Sequence, residues 1–95
     1  MATRKRKDVE SALSQKGFEL QDGGDHRYYV FLFQARRVAR TKVSHGTKYK
    51  DLGDDLLDHM ARQCHLTKSN FLDLVDCSLS QQGYEDILRE QQRLE

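Results

Sequence analysis

The chain has 95 residues, 37% of them hydrophobic and 33% charged, and its 16 Lys/Arg and 15 Asp/Glu nearly cancel to a net charge of +1. That length provides for one domain around one core and excludes a second. The apolar residues are clustered, which excludes wholesale disorder, and no apolar run approaches the roughly 18 residues of a membrane span.

Behind the opening Met1-Ala-Thr-Arg-Lys-Arg-Lys there is no apolar stretch of the signal-peptide kind, so the expectation is a soluble, cytoplasmic protein. Cys64 and Cys77 form no CxxC pair and are expected to be free thiols in a reducing compartment. The closing Leu94-Glu95 is given no functional weight. The small net charge hides an asymmetry: residues 1–50 carry 12 Lys/Arg against five Asp/Glu, and residues 51–95 carry four against ten. Either the basic half meets a polyanion, or the two halves attract each other or a second subunit as a homodimer.

Residues 4–16 read as a helix, with Val9, Ala12 and Leu13 as a narrow apolar stripe, Thr3 as N-cap and Gly17 as the stop. Arg4 to Lys7 then fall in its first turn, where the helix dipole disfavours cations. Residues 18–21 read as a short strand, 22–25 as a turn and 26–33 as an aromatic, β-branched strand apolar on both faces, hence central. After a turn at 34–36, residues 37–44 form a third strand. Arg37, Ala39, Thr41 and Val43 share one face, and Val38, Arg40 and Lys42 the other. Residues 52–64 form a helix with Leu52, Leu56, Met60 and Cys64, beside Leu57 and Ala61, as its apolar stripe. Asp51 is its expected N-cap. Thr67 caps a short helix that buries Phe71, Leu72, Leu74 and Val75, and Ser80 starts a last helix using Tyr84, Ile87 and Leu88. The order α-β-β-β-α plus two helices predicts an α+β two-layer sandwich with a three-stranded antiparallel meander.

Lys16-Gly17-Phe18 follows the first helix, Gly24-Asp25-His26-Arg27-Tyr28-Tyr29 opens the central strand, and Val43-Ser44-His45-Gly46 closes the third. In this order and spacing, residues 4–65 resemble the HicA-type (YcfA-like) toxins of bacterial toxin–antitoxin pairs, with residues 66–93 as a helical extension. The resemblance implies a double-stranded-RNA-binding-domain-like fold and a metal-independent mRNA endoribonuclease needing no cofactor. It also implies neutralisation by a HicB-like antitoxin protein, and places catalysis on His26. Asp25 stands where the family commonly has serine, and the proline often seen near the end of the third strand is absent.

Metal-free RNA cleavage needs a base for the 2′-hydroxyl proton and positive charge at the phosphate. His26 suits the first task, with His45 as the candidate second acid/base. Arg4, Lys5, Lys7, Gly24, Arg27, Arg40 and Lys42, together with Arg6, Arg36 and Arg37, are candidate contacts to single-stranded RNA. Asp25 would either orient the imidazole or repel the substrate. Tyr28 and Tyr29 are read as packing residues or, if exposed, base-stacking ones. Three other readings stay open: a helix-turn-helix over 57–75, a zinc site from His59, Cys64, His65 and Cys77, and a catalytically silent RNA-binding or protein-interaction module. Asp51, Asp54 and Asp55 at the start of the second helix are the wrong charge for clamping duplex phosphates.

Overall fold

The structure, a computed structural model, describes residues 3–22, 26–44 and 51–94. Along these run β1 (Arg4–Lys5), α1 (Arg6–Gln15), β2 (Phe18–Asp22), β3 (His26–Phe33), β4 (Arg36–Ser44), β5 (Asp51–Leu52), α2 (Asp54–Gln63), α3 (Lys68–Val75) and α4 (Gln81–Glu90). The chain is α+β, with β2-β3-β4 forming a three-stranded antiparallel sheet and four helices among the described residues. β3 is the central strand, paired on both edges.

The core takes side chains from one sheet face only. Phe18, Tyr29, Phe31, Ala39 and Val43 join Val9, Ala12 and Leu13 of α1, Leu57, Met60 and Ala61 of α2, Phe71, Leu74 and Val75 of α3, and Tyr84 and Leu88 of α4. Tyr84 binds the C-terminal helix to the sheet: its ring centroid lies 4.9 Å from that of Phe31 and 5.7 Å from that of Phe18. Its hydroxyl donates to the Cys64 carbonyl at 2.9 Å, which satisfies both buried groups. Residues 66–93 are therefore part of the one core. Leu94, set aside in the sequence, packs into the same cluster.

Two helix starts move from their expected places for one reason. Residues 4–5 pair antiparallel with 51–52, a two-stranded ladder too short to show any period in sequence. Arg4 and Lys5 therefore precede α1, Lys5 replaces Thr3 as N-cap, and Gly53 replaces Asp51 as the N-cap of α2. The other caps follow the sequence: Thr67 Oγ1 accepts from the Asn70 N–H at 3.1 Å and Ser80 Oγ from the Gly83 N–H at 3.0 Å. Gly17 ends α1 at φ +95°, and a Cβ there would lie 2.6 Å from the Gln81 side chain. Leu56, expected on the buried stripe, is 43% exposed.

A β-bulge changes the faces of β4. Phe31 pairs with Ala39 and Leu32 with Arg37, which leaves Val38 as the extra residue. Strict alternation would put Arg37 beside Ala39 on the core face. The bulge turns Arg37 outward with Leu32 and lets Val38 pack against the core.

Candidate functional site

Side chains of β3 alternate, so His26, Tyr28, Val30 and Leu32 face away from the core. Across the ladder Tyr28, Val30 and Leu32 meet Lys42, Arg40 and Arg37 of β4, and Gln21 and Glu19 of β2 lie opposite Tyr28 and Val30. Among the described residues this open face thus carries a histidine, a tyrosine and three cations, with one carboxylate, Glu19, on the far strand.

His26 is half-buried at the start of β3, its ring edge-on to Tyr28 with centroids 6.3 Å apart. Its Nδ1 is buried and has no hydrogen-bond partner among the described residues. The Arg40 guanidinium sits 5.0 Å from the Tyr28 ring centroid, a cation–π contact worth about 0.5–1 kcal/mol at an exposed site. That contact holds the charge over the sheet while leaving its N–H donors available. Lys42 is exposed directly across from Tyr28. Tyr28, Arg40, Thr41, Lys42 and Gln63 line a depression of about 370 Å³. Its wall is fixed from below, since the buried Thr41 hydroxyl donates to Gln63 Oε1 at 2.7 Å and Gln63 Nε2 lies 3.2 Å from His59 Nε2.

Arg4, Lys5, Lys7 and Arg27 stand elsewhere and in different company, whereas Arg6 lines a cleft of about 290 Å³ together with Lys42. Arg4 donates to both carboxylate oxygens of Asp76 at 2.8 and 2.7 Å, and this guanidinium holds the Asp76 carboxyl below its ordinary value. Arg27 Nη1 lies 3.1 Å from Glu10 Oε1, and Arg6 Nε 3.7 Å from Glu10 Oε2. Tyr29 donates to the same carboxylate at 2.7 Å, and burial together with Glu10 pushes its hydroxyl well up. Glu10 thereby ties α1 to the core side of the sheet. It is i+4 from Arg6, a spacing that marks the pair in sequence. Lys5 and Lys7 remain exposed along a cleft of about 750 Å³ that also contains Glu10 and Asp51.

The structure thus brings together His26, Arg40 and Lys42, and separates them from Arg4, Lys5, Lys7 and Arg27. Gly24, Asp25 and His45 lie outside the described residues. Arg37 joins the first group through the bulge, against its sequence alternation.

Cys64 is fully buried, which pushes its thiol up to about 12, whereas Cys77 is exposed. His65 Nε2 lies against the Val38 carbonyl at 3.2 Å and His59 against Gln63. These four residues do not converge, and no group of three metal-ligating side chains occurs among the described residues. In α3, Lys68 donates to Asp54 at 2.7 Å and Phe71, Leu74 and Val75 are buried, so its cation is engaged and its apolar face packed. Among the described residues no helix is long and apolar enough to cross a membrane.

No family model matches the chain, and no match was found among curated proteins or solved structures.

Proposed function

We propose that the chain is an RNA-binding, metal-independent mRNA endoribonuclease of the HicA type, with a double-stranded-RNA-binding-domain-like fold, held in check by a protein antitoxin. One observation carries the reading: His26, Arg40 and Lys42 share the open sheet face, so a proton acceptor and two cations can meet one phosphodiester. The 2′-hydroxyl loses its proton to the His26 imidazole as its oxygen bonds to phosphorus. The P–O5′ bond breaks, leaving a 2′,3′-cyclic phosphate and a 5′-hydroxyl, and the imidazolium or water returns a proton to the leaving oxygen. Arg40 and Lys42 offset the charge that builds on the non-bridging oxygens. Tyr28 supplies a ring on which a base can stack.

A second reading, RNA binding without cleavage, is favoured by the His26 Nδ1, which has no hydrogen-bond partner among the described residues. A catalytic imidazole is ordinarily oriented by an acceptor on its second nitrogen. A time course of mixed single-stranded RNA in EDTA separates the two, run beside His26→Ala protein of equal circular dichroism and a DNA strand of the same sequence. Cleavage of RNA alone, lost in the variant and leaving cyclic phosphate ends, is the expected result. Retention of RNA without cleavage by either protein replaces the first reading with the second.

A further inference from the structure

At the other end of the sheet from His26, the β3–β4 turn and the end of α4 enclose a cavity of about 530 Å³. Its lining includes Arg36, Arg37, Arg93, Gln34 and Gln91, and no carboxylate among the described residues. Arg37 and Arg93 have no carboxylate partner among the described residues; Arg93 Nε donates to the neutral Gln91 Oε1 at 2.7 Å. Three of the carbonyls at the end of α4, which would repel an anion, are taken up by chain N–H groups: Ile87 by Gln91, Leu88 by Arg93 and Arg89 by Gln92. The bulge at Val38 sets Arg37 on the open face, in line with Arg40 and Lys42. A device that re-aims one side chain has here aligned a third cation with two others.

We infer that this arginine cavity is a second phosphate-binding subsite, and that Lys42, Arg40, Arg37 and Arg93 form one track for a single nucleic-acid strand. The inference rests on the open-face reading above and adds a length requirement to it. Six rungs of the ladder separate His26 from Leu32 and its partner Arg37, about 20 Å at roughly 3.4 Å per residue. A stacked strand rises about 3.4 Å per nucleotide, so about six nucleotides are needed to reach both ends.

The test uses the full chain and two non-cleavable probes, a trimer and a nonamer of 2′-O-methyl uridylate, titrated by fluorescence anisotropy over a salt series. In the native protein the nonamer binds more tightly and with a steeper salt slope. The double variant Arg37→Gln/Arg93→Gln loses two phosphate contacts. Its nonamer slope flattens by about 1.4 and its affinity near 0.1 M salt falls about 25-fold, from about 0.7 per contact on a single strand. Its trimer binding falls by much less than its nonamer binding, and Arg37→Lys/Arg93→Lys retains most of the nonamer's advantage. Circular dichroism checks that each variant is folded. If the double variant binds both lengths as the native protein does, the subsite is absent while the open-face reading stands. If inorganic phosphate at low millimolar concentration removes the nonamer's advantage, the cavity takes a free ion rather than the strand, and the track is overturned. If the native protein binds neither probe, both readings fall.

Discussion

Two sets of cations, equally plain in the sequence, end in opposite circumstances. Arg4, Arg6 and Arg27 each meet a carboxylate, Asp76 for the first and Glu10 for the other two. Arg40 rests on an aromatic ring, and Lys42 and Arg37 have no acidic partner among the described residues. The charge asymmetry between the halves of the chain therefore has two causes. Part of it binds the fold together, as where Arg4 of β1 reaches Asp76 just after α3. Part of it stands uncompensated on the open face. A run of basic residues indicates affinity for an anion only when the fold supplies no anion of its own.

The largest expected effect tests the division between the two faces of the sheet. Phe31 is fully buried against Phe18 and Tyr84, and Phe31→Ala should cost about 3–5 kcal/mol of the 5–15 kcal/mol that stabilises a domain. Urea denaturation gives the value. Arg40→Gln, one rung away on the other face, should cost at most about 1 kcal/mol, the worth of its contact with Tyr28. A loss at Arg40 comparable with that at Phe31 would mean that the open face is structural.

The next effect separates the cation sets by function. Arg40→Gln/Lys42→Gln should flatten the salt dependence of single-stranded RNA binding by about 1.4 and weaken binding about 25-fold near 0.1 M salt. Arg4→Gln/Arg6→Gln should leave the slope unchanged, because those guanidinium groups already face carboxylates. An equal flattening by both would remove the distinction.

That distinction was only partly legible in the sequence. The central strand 26–33, the glycine stop at Gly17 and the caps at Thr67 and Ser80 follow from local pattern and turn chemistry, which a sequence displays directly. The membership of Arg40 and Lys42 in one face follows from simple alternation. Alternation puts Arg37 on the core face, because a bulge adds one residue without changing any residue type and a period of two cannot register it. The Arg4–Asp76 pair joins positions 72 apart, and the β1–β5 ladder that brings them near is two residues long. Helical spacing puts Leu56 on the apolar stripe of α2, yet it is exposed, because burial depends on what faces that stripe.

A smaller effect tests the first set directly. A double-mutant cycle on Arg4→Ala and Asp76→Ala should return a coupling of about 0.2–1 kcal/mol, as partly exposed pairs do. Arg4 holds the Asp76 carboxyl below its ordinary 3.8. The folded protein thus binds its proton less readily than the unfolded chain. The stability from the pair is full above about pH 4 and is lost as pH falls through that value toward the depressed one. The coupling should accordingly vanish in a cycle repeated in acid, and persistence there would mean that the carboxylate charge is not what Arg4 holds.

The smallest effect reads the free set from a bystander. His65 stands in the turn between α2 and α3 at φ +64°, its Nε2 against the Val38 carbonyl and its backbone carbonyl accepting from Gln91 Nε2. Burial lowers its pKa, the positive charge of Arg93 lowers it further, and the Val38 carbonyl acts in the opposite sense. The folded state therefore takes up the proton less readily than the unfolded chain. The stability from this group is full above the ordinary 6.5 and declines as pH falls through it toward the lowered value. His65→Asn, which tolerates the left-handed backbone but does not titrate, should flatten the stability profile across that window. The same imidazole senses Arg93. A phosphate seated on that guanidinium offsets its charge, so the His65 pKa should rise when a non-cleavable nonamer binds and stay in place when a trimer binds. Both are read from the His65 ring protons in an NMR pH titration. A rise with either length would mean that the strand reaches Arg93 without spanning the sheet, and a rise with neither would leave Arg93 outside the bound surface.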